Sequence, residues 1–204
     1  MGLDKLKVNA PVTPDLNWLL PAVYISVAVL IMLTGEAGRE FLRYDRVWLG
    51  QGEAWRLISA HAAHLGWSHL ALNSAALVLV WVLVGPANTM ANWLLITLVT
   101  MLSIDIGFWF LNPELYWYVG MSGVLHGLLL AGIVSRWRNP DAETLVLLIL
   151  LAAKIGWEQW NGPVPGSAAT SGGPVIVDAH LYGALGGLLG AFLVQIRVKS
   201  PASI

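Results

Sequence analysis

Ser122 stands in Gly120-Met121-Ser122-Gly123, at the start of an apolar run. A serine hydroxyl is a weak nucleophile near neutral pH and needs an adjacent base. Two histidines could serve. His126 lies one turn after Ser122 on the same helix face, and His180 stands near the start of a later apolar run. In isolation Ser122 reads as an N-cap. The flanking glycines shift that balance, because they strip bulk from around the hydroxyl. Helix-start N–H groups there also point toward the place a developing oxyanion would occupy. His69 and Asn73 are spaced i, i+4 and project from one face of a third run. Each can donate a hydrogen bond to a tetrahedral intermediate, with a helix-packing polar pair as the competing reading.

Metal chemistry fits less well. His61, His64 and His69 invite a zinc reading, since three histidines plus water would make a catalytic site. The HExxH arrangement is missing, however, and no carboxylate stands nearby to act as base. A metal site is not expected. The chain has no cysteine, which excludes disulfides, thiolate ligands and a cysteine nucleophile together. The candidates for a third, acidic member are poor. Asp178 is two residues from His180, points away from it on a helix and reads as an N-cap. Lys154 can pair with Asp105 or with Glu158 at i+4, as a structural ion pair. A Ser122–His180 dyad is the economical arrangement, and His126 then reads as a structural, hydrogen-bonded neighbour.

The elements that must position these residues follow from composition. Of 204 residues, 57% are hydrophobic and 11% charged, against about 25% charged in an average soluble domain. At about 20 apolar residues per crossing there is room for roughly six spans. Breakers such as Pro86, Asn88, Asn112, Pro113 and Pro140 separate apolar segments at 18–34, 68–84, 91–111, 122–136, 143–157 and 178–196. The expectation is an all-α polytopic membrane protein. It has an N-terminal segment 1–17, a six-helix membrane domain 18–196 and a tail 197–204. The first helix reads as an uncleaved span rather than a signal peptide. Residues 35–66 mix four arginines with Trp48, Trp55 and Phe41, a pattern for short amphipathic helices partly embedded at the surface. The stretch from Asn161 to Gly173 reads as a mobile loop.

Lys5, Lys7, Arg136, Arg138, Arg197 and Lys199 gather on the side of both termini, which favours a cytoplasmic placement of that side. Spans two, four and six then all begin on the opposite side. Their polar groups therefore share a depth near one face: His69 and Asn73, Ser122 and His126, and His180. Gly123, Gly127 and Ala131 on span four match Gly183 and Gly187 on span six, and small-xxx-small faces let membrane helices approach closely. That contact would carry His180 to Ser122. Net charge is −1, with no sign of a nucleic-acid partner.

Together these residues resemble the rhomboid family of intramembrane serine proteases. The matching pieces are Glu53-Ala54-Trp55-Arg56, then His64, His69 and Asn73 in HLGWSHLALN, Gly120-Met121-Ser122-Gly123, and Ala179-His180 with Gly183 following. The resemblance implies a six-helix bundle with a sunken active site, without metal, cofactor or acidic third member. It makes Ser122 the nucleophile and His180 the base, with His69, Asn73 and the Ser122 N–H as oxyanion hole. His64, Trp55 and Arg56 would hold the first loop. His126 replaces the tyrosine that many rhomboids carry four residues after the serine. That change, with WEQWNGPVPGS and GGPVIVDAHLYGALGG, is similar to the rhombosortase branch. The branch implies bacterial membrane-anchored substrates with a C-terminal Gly-Gly motif, transmembrane helix and basic tail. Cleavage near Gly-Gly would release or transfer them at the outer face of the inner membrane. Two rivals remain: a non-catalytic rhomboid relative that binds membrane helices, and a small transporter using Asp105, Lys154 and the histidines.

Overall fold

The computed structural model describes residues 18–137 and 140–199. The expected segment 1–17 and residues 200–204 lie outside them. Each apolar segment forms a helix close to its expected bounds. These are α1 (Leu19–Leu33), α5 (Trp67–Val84), α6 (Met90–Leu111), α7 (Ser122–Ser135), α8 (Ala142–Asn161) and α10 (Asp178–Lys199). Helix α5 extends into a 3-10 turn, Gly85–Ala87, where Pro86 supplies the fixed φ of a first turn. By length and composition this α5 unit, α6 and α10 can cross a membrane, while α1 and α7 are shorter apolar helices. Helix α8 runs beyond the expected residue 157 to Asn161, which brings Glu158 inside it. Its start is fixed by Asp141, whose side chain accepts from the Thr144 N–H at 2.8 Å.

Helix α10 packs along both α7 and α6. The α7–α10 contact is backbone on backbone. A Cβ at Gly123 would lie 2.6 Å from the Ala179 carbonyl oxygen, and one at Gly183 would run into the Gly123 carbonyl. Across the other face, a Cβ at Gly186 would lie 2.8 Å from Thr100 Cα. Glycine at these positions therefore sets how near the helices come. The core between them is filled by Trp81, Trp93, Ile96, Ile104, Phe108, Met121 and Val124.

The first loop is built from α2 (Gly35–Leu42), β1 (Tyr44–Asp45), α3 (Arg46–Gly50) and α4 (Arg56–Ser59). Strand β1 pairs antiparallel with β2 (Trp117–Tyr118), Tyr44 opposite Tyr118. That tie fastens the loop to the segment entering α7. Arg56, 3% exposed, clasps it from within, donating to Glu53 at 2.7 Å and to the carbonyls of Glu40 and Arg43. Arg46 donates to the Phe108, Trp109 and Asn112 carbonyls at the end of α6, where the last turn of a helix has carbonyls left to satisfy. The stretch expected as one mobile loop, Asn161 to Gly173, is interrupted by α9 (Ser167–Ser171), held between Gly166 and Gly172 at positive φ.

Candidate active site

The chain enters α7 through a turn that only glycine makes comfortably. Gly120 has φ +128, and a Cβ there would lie 2.8 Å from the His69 ring. Its N–H donates to the Ala60 carbonyl at 3.0 Å, and the buried Tyr118 hydroxyl donates to its carbonyl at 2.9 Å. Met121, not Ser122, occupies the N-cap position. The first bond of the α7 ladder runs from the Leu125 N–H to the Met121 carbonyl. The N–H groups of Ser122, Gly123 and Val124 thus precede it.

The Ser122 hydroxyl is free to look across to α10, and His180 Nε2 lies 3.0 Å from its Oγ. On its other side the same ring has Nδ1 2.7 Å from Glu158 Oε2. Lys154 donates to the remaining oxygen, Oε1, at 2.7 Å. His126 packs face to face on His180, with ring centroids 4.1 Å apart and planes within 16°. Its Nδ1 lies 2.7 Å from the Ser122 carbonyl, which can only accept, so Nδ1 bears the hydrogen.

One expectation changes and one open alternative is decided. The dyad left His180 without an acid, whereas the structure brings Glu158 from α8 onto it; Asp178 instead accepts from the Asn112 amide at 2.7 Å. Lys154 pairs with Glu158 rather than Asp105, which faces the buried His61 at 3.5 Å. Glu158 was hidden in the sequence for two reasons. Its i−4 lysine accounts for it as a structural ion pair, and the hydropathy boundary at 157 left it in the loop.

His69 and Asn73 project from α5 as their spacing requires. His69 Nδ1 accepts from the Leu65 N–H at 3.4 Å, which leaves Nε2 as the donor, on the side toward Gly120. Asn73 is 6% exposed, and its amide nitrogen has no partner among the described residues, so a buried donor stands ready. His64 meets His69 edge-on at 5.0 Å. Burial, then the neighbouring His69, pull its pKa down to about 4, against the opposing effect of its bond to the Ala62 carbonyl. Trp55 packs against Phe41 within the first loop, with ring centroids 5.5 Å apart.

His61, His64 and His69 do not converge: His61 turns to Asp105 and His64 packs edge-on against His69. His126, Glu158 and His180 do lie close enough to be considered as ligands. The stacked rings, however, send their in-plane lone pairs side by side rather than toward a common point, and His180 has both nitrogens engaged. Beside the site opens an apolar cleft of about 240 Å³, lined by Leu65, Tyr116, Tyr118, Val119, Pro174 and Ile176.

The profile of the Rhomboid domain matches residues 51–197. A Bacillus subtilis (strain 168) protein described as a candidate rhomboid protease, YdcA, is 26% identical over 151 residues, covering 71% of this chain and 69% of its own length.

Proposed function

Because this chain belongs to the rhomboid family, we propose that it is an intramembrane serine endopeptidase with Ser122 as nucleophile and His180 as base. The observation that carries this reading is the 3.0 Å contact between Ser122 Oγ and His180 Nε2 across the α7–α10 interface. In the reaction, Oγ bonds to the scissile carbonyl carbon while its proton passes to Nε2. The carbonyl pair moves onto oxygen, where the Ser122 N–H, the Asn73 amide and His69 Nε2 would receive the charge. Collapse breaks the C–N bond, His180 returns its proton to the leaving amine, and water or another amine resolves the acyl-enzyme.

The substrate we propose is a membrane-anchored protein with a Gly-Gly–helix–basic-tail end, as in the rhombosortase branch. His126 in place of the usual tyrosine supports that branch. Glycine loses helix stability readily, by about 1 kcal/mol per residue relative to alanine, so a Gly-Gly end would unwind at low cost. The apolar cleft beside Tyr118 and Val119 offers the unwound segment a place to lie. The proposed setting is a bacterial inner membrane with both termini cytoplasmic and the site open to the periplasm.

The test is cleavage of a Gly-Gly–helix–basic-tail reporter by wild type, Ser122→Ala and His180→Ala. Each substitution is expected to reduce cleavage by at least about 10³-fold. Retained cleavage in either variant would remove the serine-protease assignment, and a transporter would tolerate Ser122→Ala. A fluorophosphonate probe should label wild type and leave Ser122→Ala unlabelled.

A further inference from the structure

The reaction written above makes no use of Glu158. The buried residues of α8 are Thr144, Leu151 and Glu158, spaced by sevens and so forming one stripe against the bundle. Packing alone would favour an apolar residue at 158. An ionised carboxylate that is 3% exposed carries a desolvation cost of several kcal/mol, and exchanging such buried pairs for apolar side chains is often neutral or stabilising. Stability therefore gives no reason for a carboxylate here. Its geometry gives one, because both oxygens are engaged at 2.7 Å, one by His180 and the other by Lys154.

We propose that Glu158 is the positioning carboxylate of a Ser122–His180–Glu158 triad, with Lys154 holding its second oxygen. This rests on the serine-protease reading. An ionised carboxylate can only accept, so the hydrogen of neutral His180 must sit on Nδ1. Nε2 is then bare, and its lone pair faces the Ser122 hydroxyl at 3.0 Å. A protonated carboxyl could instead donate and drive the hydrogen to Nε2, the wrong tautomer for a base. The Lys154 ammonium at 2.7 Å opposes that protonation. The His126 stack limits tilting of the His180 ring but leaves it free to turn in its own plane, and the bond to Glu158 removes that freedom. When the serine proton arrives, the imidazolium forms beside a full negative charge.

The experiment is steady-state cleavage of the same reporter by Glu158→Gln, which keeps the shape and removes the charge. Its kcat is expected to fall by roughly 10²- to 10⁴-fold while KM stays within about threefold. Fluorophosphonate labelling should slow in parallel, and the melting temperature should be retained. Should Glu158→Gln fail to fold, histidine ¹⁵N NMR of the wild-type protein, assigned with His180→Asn, still decides: Nδ1–H, Nε2-bare is expected at neutral pH. A kcat within about threefold of wild type, or an Nε2–H tautomer, would overturn the proposal. If Ser122→Ala is dead but Glu158→Gln is fully active, only this inference fails; if Ser122→Ala cleaves, the protease reading fails first.

Discussion

His64 Nδ1 donates to the Ala62 carbonyl at 3.0 Å, while its Nε2 is buried with no partner among the described residues. A proton added there would carry charge into a site that is 2% exposed and beside His69, which is why its pKa is held down at about 4. Unfolded, the same imidazole titrates near 6.5. Above that pH both states are neutral and His64 adds no pH dependence. As the pH falls from 6.5 toward 4 the unfolded chain binds a proton that the fold refuses, so stability is lost through that window. At about 1.4 kcal/mol per unit, the loss approaches about 3 kcal/mol near pH 4. Melting in detergent across this range should show the decline, and His64→Asn should flatten it; an unchanged slope would assign it elsewhere. The sequence exposed this histidine's identity but not its state. Ser122, His69 and His180 were readable because their types are rare in an apolar run. Whether a histidine is a base, a stack or a buried neutral wall depends on neighbours that arrive from other helices.

Helices α7 and α10 show what patterning makes legible. Gly123, Gly127, Gly183 and Gly187 recur every four residues on each helix, and that repeat is enough to predict close contact from the sequence. The loop flanking α9 shows the opposite case, since a short helix between two positive-φ glycines leaves no periodicity to read. Register also escapes the pattern: the glycines announce that the helices meet, while the offset that puts His180 opposite Ser122 comes from fitting one backbone to the other. Gly183→Ala should therefore act on two observables. Its Cβ would press on the Gly123 carbonyl, and both sides are backbone, so the helices must part rather than a side chain turn aside. Overpacking of this kind costs about 1–3 kcal/mol. Cleavage should fall further than that loss of stability explains, because widening the interface lengthens the 3.0 Å Ser122–His180 contact. Wild-type activity in a Gly183→Ala protein with a lowered melting temperature would show that the small-residue face does not hold the pair together.

At the scale of the whole molecule, the charges divide between two ends. Arg39, Arg43, Arg46 and Arg56 lie in the first loop, which β1 and β2 fasten beside the Ser122 end of α7. Arg136 caps the other end of α7, where Arg136 Nη1 meets Glu143 at 3.2 Å. A 14-residue α7 rises about 21 Å between those ends. That rise compares with a hydrocarbon layer of about 30 Å. Lys and Arg density in short loops favours the Arg136 end as cytoplasmic, but the arginines of the first loop weaken that bias. They are spent on internal work: Arg56 on three partners within the loop, and Arg46 on the end of α6. Arg136 is held in the same way, by Glu143 and the Leu83 carbonyl, so it is labelling from one side that tells the two ends apart. The chain contains no cysteine, so single cysteines report orientation without background. Gln51 and Ala142 are both exposed, the first in the loop on the Ser122 side and the second at the start of α8 on the Arg136 side. In intact spheroplasts a membrane-impermeant maleimide should label Gln51→Cys at once and Ala142→Cys only after lysis. Ser122→Cys should label from outside more slowly than Gln51→Cys, because Ser122 is partly buried and Gln51 is exposed. The reverse pattern for the first two would invert the molecule and place proteolysis on the cytoplasmic face, where a substrate's basic tail, rather than its Gly-Gly end, would meet the site.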